Sequence, residues 1–137
     1  MAQDWNKATI DEFRANGGRV GGPFDGAPLL ILHSVGAKSG KTRVNPVMYQ
    51  DLGNGLVAVF ASKGGAPTNP DWYHNLVANP RATVELGSET FDVTARVARG
   101  EERRRIWSSW KVRYPSFAEY ERNTKREIPV VILDRAR

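Results

Sequence analysis

The chain has 137 residues, enough for one domain with a true hydrophobic core and no need of covalent staples. It contains no cysteine, which excludes disulfides, zinc–thiolate sites and thiol nucleophiles, and two histidines, His33 and His74, are too few for a histidine-built metal site. With 20 Lys and Arg against 15 Asp and Glu, the net charge of +5 favours acidic partners: nucleic acid, a membrane surface or a polyanionic small molecule.

At the N-terminus, "MAQDWNKATIDEFRANGG" lacks the apolar centre of a signal peptide, and no apolar run approaches membrane-spanning length. The cytoplasm is the expected compartment. Residues 4–16 read as a short amphipathic helix with Trp5, Ala8 and Phe13 on one side, stopped by Gly17 and Gly18. "GGRVGGPFDGAP" then reads as a flexible connector. Residues 1–24 are thus expected to form an appendage to a barrel domain spanning 25–137. Its Trp and Phe suit either peripheral membrane contact or a cap on one end of the barrel.

After Pro28 the pattern turns to strands over residues 29–35, 43–51 and 56–61, with an Asn-Gly turn in "DLGNG". "RATVELG" and "ETFDVTARVA" form a second hairpin around Gly87-Ser88, and "IPVVIL" is a buried closing strand. Two helical segments interrupt them. "NPDWYHNLVANP" has Asn69 as N-cap and Pro70 in the first helical position. "GEERRRIWSSWKVRYP" places Ile106, Trp107 and Trp110 on one face and Arg103, Arg104, Arg105, Lys111 and Arg113 mostly on the other, and "SFAEYERN" continues as a short helix. Six short strands without βαβ alternation predict a mainly β protein with helices (α+β), an antiparallel barrel.

The turn "VGAKSGKTR" ends like a P-loop, but Gly36 stands one position too close to Gly40, and Pro46 would break the helix such a loop requires. It reads instead as a strand-to-strand turn carrying Lys38, Lys41 and Arg43, either a solvated basic hairpin or an anion contact. In "FASKGGAPTNPDWYHNL" a strand ends at Ser62-Lys63, two glycines allow close approach, and a helix N-terminus follows. This is an ordinary loop or, paired with the basic turn, one cleft for an anion. The Arg103–Arg105 run follows Glu101 and Glu102 on an amphipathic helix, so it reads as a solvated face, and no nucleic-acid-binding motif accompanies it.

Taken in order, "GAKSGKTRVNPVMY", "ASKGGAPTNPDWYHNLVANPRATVEL", "ERRRIW" and "YPSFAEYERNTKREIPVVIL" resemble the deazaflavin-dependent nitroreductase family, split β-barrels with an FMN-binding-like fold that bind coenzyme F420. The resemblance spans about residues 25–137. Ala37 stands where the family commonly has Arg and Thr42 where it has Pro, so Lys41 is a candidate replacement for one cation. The resemblance implies a coenzyme held by Ala37, Lys38 and Ser39; by Arg43, Val44, Asn45, Pro46, Val47 and Met48; by Phe60, Ala61, Ser62 and Lys63; and by Asp71, Trp72, Tyr73, His74 and Asn75. Lys38, Arg43 and Lys63 would meet phosphate and oligoglutamate tail, and backbone groups of 45–48 and 60–62 would hold the ring. It further implies that substrate stacks under a lid bearing Tyr114, Phe117 and Tyr120, beside Met48 and Ser62. Ser62, Tyr114 and Tyr120 are the catalytic candidates, and no metal is implied. The expected activity is hydride transfer from reduced coenzyme F420 to a small electron-poor acceptor: a quinone, enone or nitroaromatic. The alternatives are a deazaflavin or flavin carrier without turnover and a basic nucleic-acid-associated barrel.

Overall fold

The computed structural model describes residues 2–20 and 28–136, with backbone only for 2–6. The strands are β1 (Leu29–Val35), β2 (Thr42–Gly53), β3 (Leu56–Phe60), β4 (Arg81–Leu86), β5 (Glu89–Val97) and β6 (Val130–Arg135). They close into an antiparallel barrel in the order β1-β2-β3-β6-β5-β4. Asn54 (φ 55°) and Gly55 (φ 79°) form the left-handed turn that joins β2 to β3, as the Asn-Gly pair predicts.

Side chains alternate across the barrel wall. Leu30 and Leu32, Val57 and Val59, Val84, Val93, Val131 and Leu133 point inward to one cluster. The intervening residues Leu29 and Ile31 of β1, Ala58 and Phe60 of β3, and Val130 and Ile132 of β6 are apolar too, because helices cover those strands from outside. Helices α3 (Gly100–Arg113) and α4 (Ser116–Arg122) cover Ala58, Phe60, Val130 and Ile132, and the Phe60 ring stacks on Trp110 at 4.3 Å. Where no helix covers the barrel, β5 turns polar residues such as Asp92 and Thr94 to solvent.

Helix α1 (Ala2–Ala15) covers the outside of β1. The N-terminal segment lies against the barrel: Ile10 and Phe13, the latter 1% exposed, pack with Val20, Leu29 and Ile31. The buried face is Thr9, Ile10 and Phe13, whereas Ala8 is exposed; the Trp5 side chain and residues 21–27 of the connector lie outside the described residues. Arg14 fixes the helix by donating two hydrogen bonds to Glu85 of β4 (2.9 and 2.7 Å), whose carboxylate also meets His33 Nε2 at 2.6 Å. The Arg14 fork, joined by His33, holds the Glu85 carboxyl down at about 2. With Phe13 spent on the barrel wall, it is unavailable for membrane contact. No helix among the described residues is long and apolar enough to cross a membrane.

Helix α2 (Asp71–Ala78) plugs one end of the barrel with Trp72 and Leu76. Its N-cap is Pro70, not Asn69, and no side chain caps it. The Asn69 amide oxygen is drawn away by Arg126 Nη1 at 2.6 Å, a charge-assisted bond that outcompetes a helix cap.

Candidate functional site

A cleft of about 800 Å³ opens where the β1–β2 turn, the first half of β2, α1 and α2 meet. The turn itself is tight: Gly36 N–H donates to Lys41 O (2.8 Å) and Gly40 N–H to Gly36 O (3.0 Å). A Cβ at Gly36 would meet Ser39 Oγ at 2.6 Å and Lys41 O at 3.2 Å, so Ser39 would have to turn aside, and Gly40 lies at φ +71°, a conformation that favours glycine. Strand β2 follows at once. No helix receives the turn, which removes the P-loop reading.

Asn75 locks this turn to α2. It is 6% exposed, accepts from the Ala37 N–H (2.9 Å) and donates to Ser34 Oγ (3.2 Å), while Asn79 donates to Val35 O (3.4 Å). A buried amide satisfied on both ends is a rigid strut, so Ala37, Lys38 and Ser39 are presented in one geometry.

Pro46 reveals how the cleft extends. Strand β2 pairs with β1 along residues 42–48 but with β3 only from Tyr49 onward, so the β3-facing edge is open over its first half. Tyr49 N–H turns toward the β1 side, bonding Pro28 O at 3.0 Å. Backbone alternation therefore directs the main-chain groups of Val44 and the N–H of Met48 to the open edge, where Pro46 offers no donor. An unpaired strand edge beside a basic turn is a place for a ligand rather than another strand.

Of the residues expected to hold a coenzyme, Ala37, Lys38, Ser39, Arg43, Val44, Asn45, Asp71, His74 and Asn75 all line this one cleft. Met48 continues beyond it, packed between the α1 cluster and the aromatic cluster of α3 and α4. Val47 points into the barrel, Trp72 is buried there at 7% exposure, and Tyr73 packs against the same cluster and lines hollows on another side. Helical spacing explains this: one face of α2 plugs the barrel, and the next turns Asp71, His74 and Asn75 to the cleft. Phe60 faces the α3–α4 cluster, and the Ala61 and Ser62 carbonyls already accept from Arg126 (3.1 and 2.7 Å). Lys63 is exposed, with a left-handed backbone (φ 49°), outside the set lining the main cleft.

The lid is partly core. Phe117 is 7% exposed, edge-on to Trp110 at 5.4 Å and to Tyr120 at 5.1 Å, so its ring packs instead of facing a substrate. Tyr114 and Tyr120 are half-buried and keep part of their surface outward. Glu121 clasps α4 to α3, accepting from Lys111 Nζ (2.8 Å) and from Trp107 Nε1. Burial pushes its carboxyl up, but these two hydrogen bonds outweigh it and leave it below the usual range. Of the arginine run, Arg103 turns inward to the Ile128 carbonyl (2.6 Å) and Arg104 pairs with Glu101 (3.0 Å), which leaves no continuous phosphate track.

Sequence reasoning missed Lys7 and Ile10, which line the cleft from α1, and Arg126. The position of Arg126 in "KREIPVV" was legible as a motif, but its target was not. The described residues lining the cleft include three cations, Lys7, Lys38 and Arg43, and one carboxylate, Asp71; Lys7 also pairs with Asp11 at 3.1 Å. That donor set and an elongated open edge suit a polyanion carrying a flat ring.

A sequence model described as F420H(2)-dependent quinone reductase matches residues 5–135. The chain belongs to that family. Members are oxidoreductases and their cofactor is coenzyme F420, and both carry to this chain with membership. The match includes α1, which the resemblance read from the sequence had left out. An F420H(2)-dependent quinone reductase of Mycobacterium tuberculosis is 38% identical over 127 residues, covering 90% of this chain and 85% of its own. The solved structure of an F420-H2 dependent reductase is 44% identical with a TM-score of 0.70, covering 78% of this chain and 94% of its own. A second structure, described as a domain-swapped dimer, is 37% identical with a TM-score of 0.73 and covers 98% of this chain and all (100%) of its own.

Proposed function

We propose that this family member transfers a hydride from reduced coenzyme F420 to small electron-poor acceptors, with quinones foremost and enones and nitroaromatics in the same chemical class. The observation that carries the reading is the convergence of Lys7, Lys38 and Arg43 on a cleft that runs onto the unpaired edge of β2. Those cations would bind the anionic part of the coenzyme, and main-chain groups at Val44 and Met48 would hold its ring. When bound, the deazaflavin supplies a two-electron hydride donor.

The protein's own residues then orient and exclude water. Tyr114 and Tyr120 would cover the acceptor, and the Ser62 hydroxyl would be offered to an acceptor oxygen. Met48 brings no hydroxyl, so the acceptor side is less polar than one with a tyrosine in its place. The proton that accompanies the hydride comes from solvent. The cytoplasm is the proposed setting.

Anaerobic mixing with reduced coenzyme F420 and menadione tests this reading. Reoxidation of the coenzyme at a rate that depends on enzyme concentration is expected. Tight binding with no reoxidation by any quinone, enone or nitroaromatic would make the chain a carrier.

A further inference from the structure

Arg126 lies between α4 and β6, and its guanidinium reaches a single loop. Nε donates to Ala66 O at 2.9 Å, Nη1 to Ala61 O at 3.1 Å and to Asn69 Oδ1 at 2.6 Å, and Nη2 to Ser62 O at 2.7 Å. All four acceptors belong to residues 61–69. They are also neutral: among the described residues no carboxylate pairs with Arg126. Other arginines behave differently here, since Arg14, Arg96 and Arg103 each meet a glutamate. Removing a guanidinium from water is costly without a counter-charge, and carbonyl dipoles offset only part of that cost. A cation kept without a partner leaves its field free to act on a nearby anion.

The loop it grips is strained and confined. Lys63 lies at φ 49°, a region that long side chains rarely adopt, and Gly65 at φ +84° has Tyr120 O where a side chain would go, 2.9 Å away. The Ser62 carbonyl holds this shape from within, accepting from Gly65 N–H (3.0 Å) as well as from Arg126. Thr124 adds a bond to Ala66 O at 3.4 Å, a second tie between the segment after α4 and the loop.

We propose that Arg126 is the positioning residue of the 61–69 loop: an uncompensated cation that fixes the strained backbone presenting Lys63 to the coenzyme's anionic part and ties that loop to the lid. The proposal rests on the coenzyme reading above. It gives Arg126 no contact with substrate; it acts through Lys63 and Ser62. Lysine cannot replace it, since three donors on a point charge cannot span four acceptors in a fixed fork.

The test uses the full chain with Arg126→Lys and Arg126→Ala. Hydrogen exchange is measured first, without coenzyme. In Arg126→Lys, peptides covering 61–69 should exchange at least about threefold faster, while peptides covering 36–41 keep the parent rate. Fluorescence titration with coenzyme F420 follows. Arg126→Lys should bind about three- to fivefold more weakly, no more than Lys63→Ala itself loses, and adding this change to Lys63→Ala should weaken binding little further. Should Arg126→Ala not fold, Arg126→Lys carries both measurements. Unchanged exchange in 61–69, or losses from Arg126→Lys and Lys63→Ala that simply multiply, would overturn the positioning role. If the parent protein itself does not bind the coenzyme, the functional reading fails, and the exchange measurement still decides whether Arg126 sets the loop.

Discussion

Replacing Glu85 by Gln tests whether α1 is a working wall of the cleft. Glu85 accepts the Arg14 fork and meets His33, and its carboxyl is held at about 2 against an ordinary 4.5. A depressed carboxyl contributes stability that is full above the unfolded pKa and is lost as pH falls through the folded one. At face value that shift corresponds to about 3 kcal/mol, but the Arg14 side chain is 50% exposed, and solvent screening reduces the figure to about 1–2 kcal/mol. Glu85→Gln should therefore lower Tm by about 3–8 °C at pH 7, and the gap from the parent should shrink by more than half at pH 3. Because α1 brings Lys7 and Ile10 to the cleft, coenzyme affinity should fall about two- to fivefold at pH 7. Urea unfolding at both pH values and fluorescence titration measure the two effects. Parent-like stability at pH 7, or a gap that does not change with pH, would reduce the Arg14–Glu85–His33 contact to a surface pair without consequence.

Lys63→Ala and Arg43→Ala should each weaken coenzyme binding by about 1 kcal/mol, since both side chains are exposed, and their effects should add because only Arg43 lines the main cleft. Affinity of the parent should fall as salt rises, and ATP should not compete; isothermal titration checks all three. Asn75→Ala strands the Ala37 N–H and Ser34 Oγ, so unfolding free energy should drop by about 1–3 kcal/mol and coenzyme binding should weaken with it. Tyr120→Ala should cut turnover while coenzyme affinity stays within about threefold of the parent, as stopped-flow reoxidation and titration will show, because the Tyr120 ring meets Phe117 and the lid, not the cation cluster.

Local signals settled the strands. "LLILHSV", "LVAVF" and "VVIL" are short apolar runs bounded by turn residues, and a run buried on both faces carries its own evidence of helices packed outside. Gly40 of the β1–β2 turn and the Asn-Gly turn were equally legible, because φ > 0 is a property of one residue. So were the cations Lys38 and Arg43, whose place on a strand-to-strand turn follows from the strands alone. Tertiary structure decided what those elements face. Trp72 and His74 sit two positions apart on one helix, yet the barrel takes the first and the cleft the second. Phe117 became core because Trp110 and Phe60 were there to receive it. Asn69 lost its cap to a guanidinium 57 positions away, and α1 became a wall through Arg14 and Glu85, 71 positions apart. Such pairings arise only once the barrel closes, because closure, rather than any residue's neighbours in the chain, sets which distant groups must satisfy one another's charge and hydrogen bonds.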